Sequence, residues 1–425
     1  KCTYLRLPLV IYLIVVATTV HAVDEPQILL PKHRIGPAEL AVIVNDADPL
    51  SRQIANYYVQ RRGIPKTNLI HVSFAPRRAA LAVDEFNGIK RDVDAATPPQ
   101  IQAYALTWAE PYRVGCMSIT SAFAFGFDQR WCSAKTCAVT QPSPYFASDS
   151  ANPFDDFKFR PTMSLAAADF AAAKALIDRG IASDGSRPRG TAYLVSTTDK
   201  ARNVRAATYA NIKRLFDPLL TTEVVRHNAL IGRDDVMFYF TGRVSVEGLD
   251  TLQFLPGAIG DHLTSTGGQL TDSKQMSALR WLEAGATGSF GTVVEPCAWP
   301  SKFPNPGIMM AHYLRGATLI EAYWKSVQMP GEGIFIGEPL AAPFDFRSVE
   351  RRAGELRLHT WSLRPGLYQL QTAPSPVGPF KSELAYRVDP FPTELRIPDR
   401  GAAVIGYADA RAWIRLAAAA MLAAS

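Results

Sequence analysis

Residues Gly285–Phe344 read GATGSFGTVVEPCAWPSKFPNPGIMMAHYLRGATLIEAYWKSVQMPGEGIFIGEPLAAPF. Gly288–Val294 has the length and composition of a buried strand. A polar, proline-rich loop follows. Pro306–Val327 carries the spacing of a long helix, with a break expected at Gly316. Ile334–Ile336 is a second short strand, held between the turns Gly331-Glu-Gly333 and Gly337-Glu-Pro339. Those turns lack the Gly-Lys-Ser/Thr ending of a phosphate loop. Strand, loop, helix, strand is the grammar of an α/β protein.

The same grammar extends toward the N-terminus. Glu39–Asn45 (ELAVIVN) is a continuous apolar run, as in a parallel strand buried on both faces. Asp48 is a good N-cap and Pro49 suits the first helical position, so a helix is predicted up to Arg62. Gly63 stops it, Pro65 follows, and Asn68–Phe74 returns as a strand. Further strands are expected at Ile101–Trp108, Gly190–Ser196, Val236–Phe240 and, briefly, Gly257–Gly260. Helices are expected at Asp84–Ala95, Ser164–Arg179, Ala201–Phe216 and Ser273–Ala284. Residues 39–344 are thus predicted to form one α/β domain, an open and mostly parallel sheet flanked by helices. A long insertion at 116–165 is rich in aromatics, Ser and Pro. From Arg347 the pattern changes to polar–apolar alternation with a Pro365-Gly366 turn, which predicts a small antiparallel β module over 347–408. A surface helix is expected at 409–425.

Composition narrows the function. The chain of 425 residues suits two or three domains, and its formal charge is only +6, with basic and acidic residues interspersed. That excludes a nucleic-acid groove as the natural reading. Lys1 and Arg6 flank the apolar run Leu7–Val20, and Val20-His21-Ala22 has small residues at both ends. This predicts a signal peptide, residues 1–22, cleaved after Ala22. The run is shorter than the roughly 20 residues a membrane span needs, so no transmembrane segment is expected in the mature chain. The expected location is periplasmic or extracellular. Loss of Cys2 leaves Cys116, Cys132, Cys137 and Cys297, an even set that predicts two disulfides in an oxidising compartment. Of three pairings, Cys132–Cys137 closes the short SAKT loop most easily, which leaves Cys116 with Cys297. No CxxC or HxxxH spacing supports zinc; no cofactor or metal is expected.

Several segments carry a family resemblance: VIVNDADPLSRQIANYYVQRRGIP (42–65), YRVGCMSITSAFAFGFD (112–128), DDVMFYFTG (234–242), DHLTSTGG (261–268) and the block 285–344. In combination they resemble the secreted bacterial family that accompanies the exosortase protein-sorting system. That family supplies no catalytic residues; it implies export and an envelope protein or polysaccharide as partner. More weakly, the chain resembles the caspase-like fold of gingipain-type proteases. There a Gly-His-Gly turn follows one strand and a catalytic Cys ends the next. Here Phe238–Gly242 is followed by Arg243 where His is expected, and Pro256–Ser265 holds no Cys. The resemblance therefore implies the fold without the protease dyad.

The remaining candidates come from residue types near strand ends. Asp261 and His262 precede Thr264-Ser265-Thr266, so a site could be drawn from His262, Ser265 and Asp46. The structural alternative is a packed histidine beside capping Asp261 and Ser265. Cys297 could pair with His262 as a nucleophile, unless it is in a disulfide. Glu295 offers a carboxylate, or a partner for Arg113 or Lys302. Two carboxylates at Asp46 and Asp48 are too few for calcium, which wants six or more oxygens. Trp299 and Phe303 could form a platform for carbohydrate or peptide, though core burial suits them better. One edge of the sheet, bearing the loops 45–48, 242–247, 261–268 and 295–303, is expected to bind ligand through Asp46, Arg243, Asp261 and Glu295. The first expectation is a non-catalytic caspase-like accessory factor; the second is a peptidase-like hydrolase using His262 with Ser265 or Cys297.

Overall fold

The computed structural model describes residues 28–407, apart from 134, 135, 376 and 390–392. The expected signal peptide at 1–22 and the expected helix at 409–425 lie outside the described residues. Ten strands form the main sheet: β1 (Leu40–Asn45), β2 (Leu69–Val72), β3 (Ala103–Leu106), β4 (Thr162–Ser164), β5 (Thr191–Ser196), β6 (Thr222–Arg226), β7 (Val236–Gly242), β8 (Phe254–Leu263), β9 (Gly288–Thr292) and β10 (Gly333–Gly337). Their order across the sheet is β6-β5-β7-β8-β9-β10-β4-β3-β1-β2. The α-helices are α1 (Pro49–Arg62), α2 (Val83–Ala96), α3 (Ile119–Phe125), α4 (Pro153–Phe157), α5 (Phe170–Ser183), α6 (Tyr209–Phe216), α7 (Leu279–Glu283), α8 (Pro306–Leu314) and α9 (Leu319–Ser326). This is an open, mostly parallel α/β sheet flanked by helices, as predicted.

Neighbouring strands run parallel except at the centre. There β9 and β10 pair antiparallel, with Gly288 opposite Gly337, Phe290 opposite Phe335 and Thr292 opposite Gly333. The sheet consists of two parallel halves of opposite direction: β6, β5, β7, β8, β9 in one and β10, β4, β3, β1, β2 in the other. Loops that leave the carboxyl ends of β7, β8 and β9 therefore emerge at one edge. The loop after β1 emerges at the opposite edge. This corrects the expectation that 45–48 joins 242–247, 261–268 and 295–303 on a single edge.

Most of the predicted elements form. Asp48 caps α1 by accepting from Leu50 N at 3.0 Å, Pro49 is its first residue, and Gly63 closes it in the left-handed region. The long helix breaks where expected: Gly316, at φ 82°, separates α8 from α9. The strand expected at Gly257–Gly260 is much longer, running from Phe254 to Leu263. The helix expected at Ser273–Ala284 shrinks to α7, because Ser273, Gln275 and Ser277 turn their side chains back onto the preceding loop.

The C-terminal module is present and antiparallel within each of its sheets. Its strands are β11 (Arg347–Arg352), β12 (Glu355–Thr360), β13 (Gly366–Ala373), β14 (Lys381–Val388), β15 (Thr393–Pro398) and β16 (Ala402–Tyr407). β11, β12 and β15 form one sheet; β13, β14 and β16 form the other. The inward residues Leu356, Leu358, Tyr368, Leu370, Leu395 and Ile397 make a separate core. A two-residue strand at Ile28–Leu29 adds in parallel beside β16, so the chain's N-terminal side is tied to the module.

Two disulfides join the four cysteines, as expected, but the pairing differs. Cys116 bonds Cys132, and Cys137 bonds Cys297. Trp131 stacks on Phe125 with ring centroids 3.8 Å apart, and Cys132 is buried beside it. That packing turns Cys132 toward Cys116 and leaves Cys137 to reach Cys297. Peptide mapping under non-reducing conditions is expected to recover the pairs 116–132 and 137–297. Cys137→Ser should destabilise the oxidised protein by about 2–5 kcal/mol in denaturant titration; an unchanged midpoint would contradict this connectivity.

Candidate functional site

His262 and Asp261 are adjacent on β8, so their side chains leave opposite faces of the sheet. Both are buried. On one face, Trp281 of α7 donates its Nε1–H to His262 Nδ1 at 2.9 Å. His262 Nε2–H donates to the Met276 carbonyl at 3.1 Å. These two bonds define a neutral ring protonated on Nε2. Burial pulls the His262 pKa down to about 4, with the Met276 bond opposing and Arg205 assisting. Both ring nitrogens are thus engaged by structural partners. No hydrogen bond joins His262 to Ser265, whose carbonyl instead accepts from Thr292 Oγ1 at 2.9 Å. Cys297 is oxidised with Cys137, which removes it as a nucleophile in this state.

On the other face, Asp261 forms a buried ion pair with Arg205. Arg205 also donates to the carbonyls of Thr241 at 2.6 Å and Pro304 at 3.1 Å. It thereby ties the end of β7 to the loop before α8. Burial raises the Asp261 pKa and Arg205 lowers it, the net direction being upward. Asp261 is a core ion, not the rim ligand group that its place in the sequence suggested.

The rim of this edge is made by other groups. Arg243 lies 3.8 Å from Glu247. Arg202 bridges Asp199 at 3.1 Å and Thr264 Oγ1 at 3.2 Å. Gln275 Oε1 accepts from Thr264 Oγ1 and from Thr266 N, so the loop after β8 is locked internally. Glu295 is exposed and accepts from Cys297 N at 2.8 Å. Its two expected partners are engaged elsewhere: Lys302 forms a buried pair with Glu332, and Arg113 donates to the Gly115 carbonyl. Phe303 is core, whereas Trp299 is 40% exposed.

Asp46 lies at the opposite edge and pairs with His71 at 2.9 Å, both side chains exposed. It cannot complete a triad with His262 and Ser265. Asn45 stiffens this loop by accepting from Ala47 N and Phe74 N. Here β1 lies between β2 and β3, so the chain leaves β1 first to one side and then to the other. The resulting switch point is where open α/β sheets hold ligands. A cleft of about 660 Å³ opens there, floored by Leu50, Trp108 and Leu279 and rimmed by Asp48, Arg77 and Glu110. The strand order that creates it was not readable from the chain alone. Among the described residues, no group of three or more His, Cys, Asp or Glu is placed to hold a metal ion. No helix among them is long and apolar enough to cross a membrane.

No family model matches the chain, and no curated protein matches it. Solved structures do. The chain is similar to the Arg-specific cysteine proteinase gingipain R, at 9% identity and a TM-score of 0.45, covering 88% of this chain and 98% of that one. It is similar also to the complex of pro- and mature domains of Porphyromonas gingivalis RgpB, at 9% identity and a TM-score of 0.38, covering 86% and 98%. A structure described as a protease matches at 10% identity and a TM-score of 0.37, covering 85% and 97%. Gingipain-type proteinases are the group to which the weaker sequence resemblance pointed.

The His262 environment sets a pH signature. An unfolded histidine titrates near 6.5. The stability carried by neutral, buried His262 is therefore present above about pH 6.5 and is lost as pH falls toward 4, about 3 kcal/mol in all. The His262 ring resonance is expected to titrate near pH 4; titration near 6.5 would mean the ring meets solvent. Asp261→Ala leaves Arg205 buried and unpaired, and should cost about 3–5 kcal/mol in urea unfolding.

Proposed function

We propose that this chain is an exported, non-catalytic binding factor in exosortase-linked biology of the bacterial envelope, and that it holds a peptide segment of a surface protein in the cleft over β1 and β3. One observation carries the reading: the histidine best placed to act as a base has both ring nitrogens satisfied by Trp281 and Met276. A general base must reach the proton it removes, and neither Ser265 nor Cys297 is so placed. The two disulfides suit export. The cleft supports the ligand assignment. It combines an apolar floor with carboxylates at Asp48, Glu110 and Glu283 against one guanidinium, Arg77, a balance that favours a segment carrying a basic side chain.

The test has a chemical arm and a cellular arm. A fluorophosphonate and a thiol-directed probe should leave the native protein unlabelled. Labelling of Ser265 or Cys297 that disappears in His262→Ala would establish the hydrolase instead. In a strain lacking the gene, Arg77→Glu and Glu110→Lys should fail to restore the surface-protein phenotype, with Tm within about 2–4 °C of wild type, the range of a change near 1 kcal/mol. Arg243→Ala and Glu295→Ala should restore it. The reverse result would move the site to the other edge of the sheet, and a defect confined to polysaccharide would overturn the peptide assignment.

A further inference from the structure

Lys325 of α9 is 1% exposed, yet its ammonium makes no hydrogen bond to the protein among the described residues. Its nearest carboxylate oxygen is Glu321 Oε1, 3.8 Å away. Glu321 is committed elsewhere: Oε2 accepts from Ile35 N, Thr318 N and Thr318 Oγ1, and Oε1 lies 3.5 Å from the Tyr145 hydroxyl. His312 of α8 is 9% exposed, and its ring likewise makes no hydrogen bond within the described residues. Arg364, from the β module, stands 4.0 Å from Asp149, at the limit of an ion pair. Lys325, His312 and Arg364 line one small cavity, with room for about a single water-sized body, roughly 10 Å³.

Buried donors are normally satisfied, and buried cations are normally paired. Here two such donors and a guanidinium converge on a space too small for a phosphate or a carboxylate-bearing molecule. The carboxylates close by do not meet the need: Asp149 lines the cavity but stands on its Arg364 side and makes no hydrogen bond to Lys325, and Asp345 is taken by His33, Arg34 and Ser362. We propose that His312, Lys325 and Arg364 form a binding site for a small monovalent anion of chloride size, which fastens the β module to the α/β domain. The electrostatics agree. Burial pulls Lys325 down to about 8, with Glu321 opposing. His312 is held well below the usual imidazole range by burial and then by Lys325, Arg315 and Arg364. An anion among these groups relieves the repulsion and satisfies donors from α8, α9 and the module together.

The experiment uses the intact oxidised protein. Thermal melts are run with chloride replaced stepwise by gluconate at constant ionic strength, gluconate being too large for the cavity. Tm should rise with chloride and saturate, as binding to the folded state alone requires. Bromide-soaked crystals should show an anomalous peak within about 3.5 Å of Lys325 Nζ. Lys325→Met should lose both the saturation and the peak. His312→Gln, a milder change, should weaken the chloride dependence several-fold and serves if Lys325→Met does not fold. A Tm that is indifferent to the exchange, or no peak at Lys325 in wild type, overturns the site. An undiminished chloride dependence in either variant does the same.

Discussion

The antiparallel seam between β9 and β10 is the constraint on which the rest depends. It joins two parallel half-sheets of opposite direction, and so decides which loops can meet. Its cross-strand pair Phe290–Phe335 packs edge to face, centroids 5.2 Å apart. Gly333 permits it: a Cβ there would lie 2.2 Å from the Phe290 ring. A side chain at 333 would push the phenylalanine off the seam and separate the halves. Trp324 then stacks on Phe335 at 4.4 Å, placing α9 over the junction. The same helix carries Lys325 to a cavity shared with Ser362 and Arg364 of the β module, so the seam bears on how the module docks as well.

Buried ions secure the two ends of this arrangement. Arg205 and Asp261 hold the β7 and β8 ends to the loop before α8. Arg62, at the end of α1, pairs with Glu338 just beyond β10, and Tyr58 donates to the same carboxylate at 2.6 Å. Lys302 and Glu332 join the loops on either side of α8 and α9. Removing one partner of such a pair is costly, while the intact pair adds little over apolar packing. Their value here is positional: each fixes a loop that hydrophobic burial alone leaves free to shift.

Much of the fold was legible because its signals are local. The buried run ELAVIVN, the Asp48-Pro49 helix start and the Gly316 break each act within a few residues, and each stands where the sequence placed it. The site was less legible because it depends on pairing. Nothing local in Ile334–Ile336 says that this strand runs antiparallel to β9, yet that fact sends Asp46 to the far edge. The disulfide connectivity failed for the same reason. Loop length favoured Cys132–Cys137, but the stacking of Trp131 on Phe125 is a tertiary contact that overrides it. For Asp261 and His262, strand periodicity was in hand: adjacent residues on a strand face opposite ways. Strand membership of both residues was the missing fact, since β8 runs to Leu263 rather than stopping at Gly260.

That extra length of β8 bears directly on chemistry. A catalytic side chain in an open α/β sheet sits just past the strand, where the backbone has turned and the group meets the cleft. Here the strand continues through 261 and 262, so both side chains enter the packed layers instead of the edge. Trp281 and Met276 then close over His262, and Arg205 over Asp261. Exposure begins only at Ser265 and Thr266, in a loop whose polar groups are held by Gln275, Ser273 and Thr292. A reactive dyad would need two residues on neighbouring strand ends to be free together. The sequence offers Arg243 on one strand end and the internally bonded Thr264–Thr266 loop on the next. The edge that bears Ser265 and Thr266 is therefore held by its own hydrogen bonds, and the cleft lies across the seam, over β1 and β3.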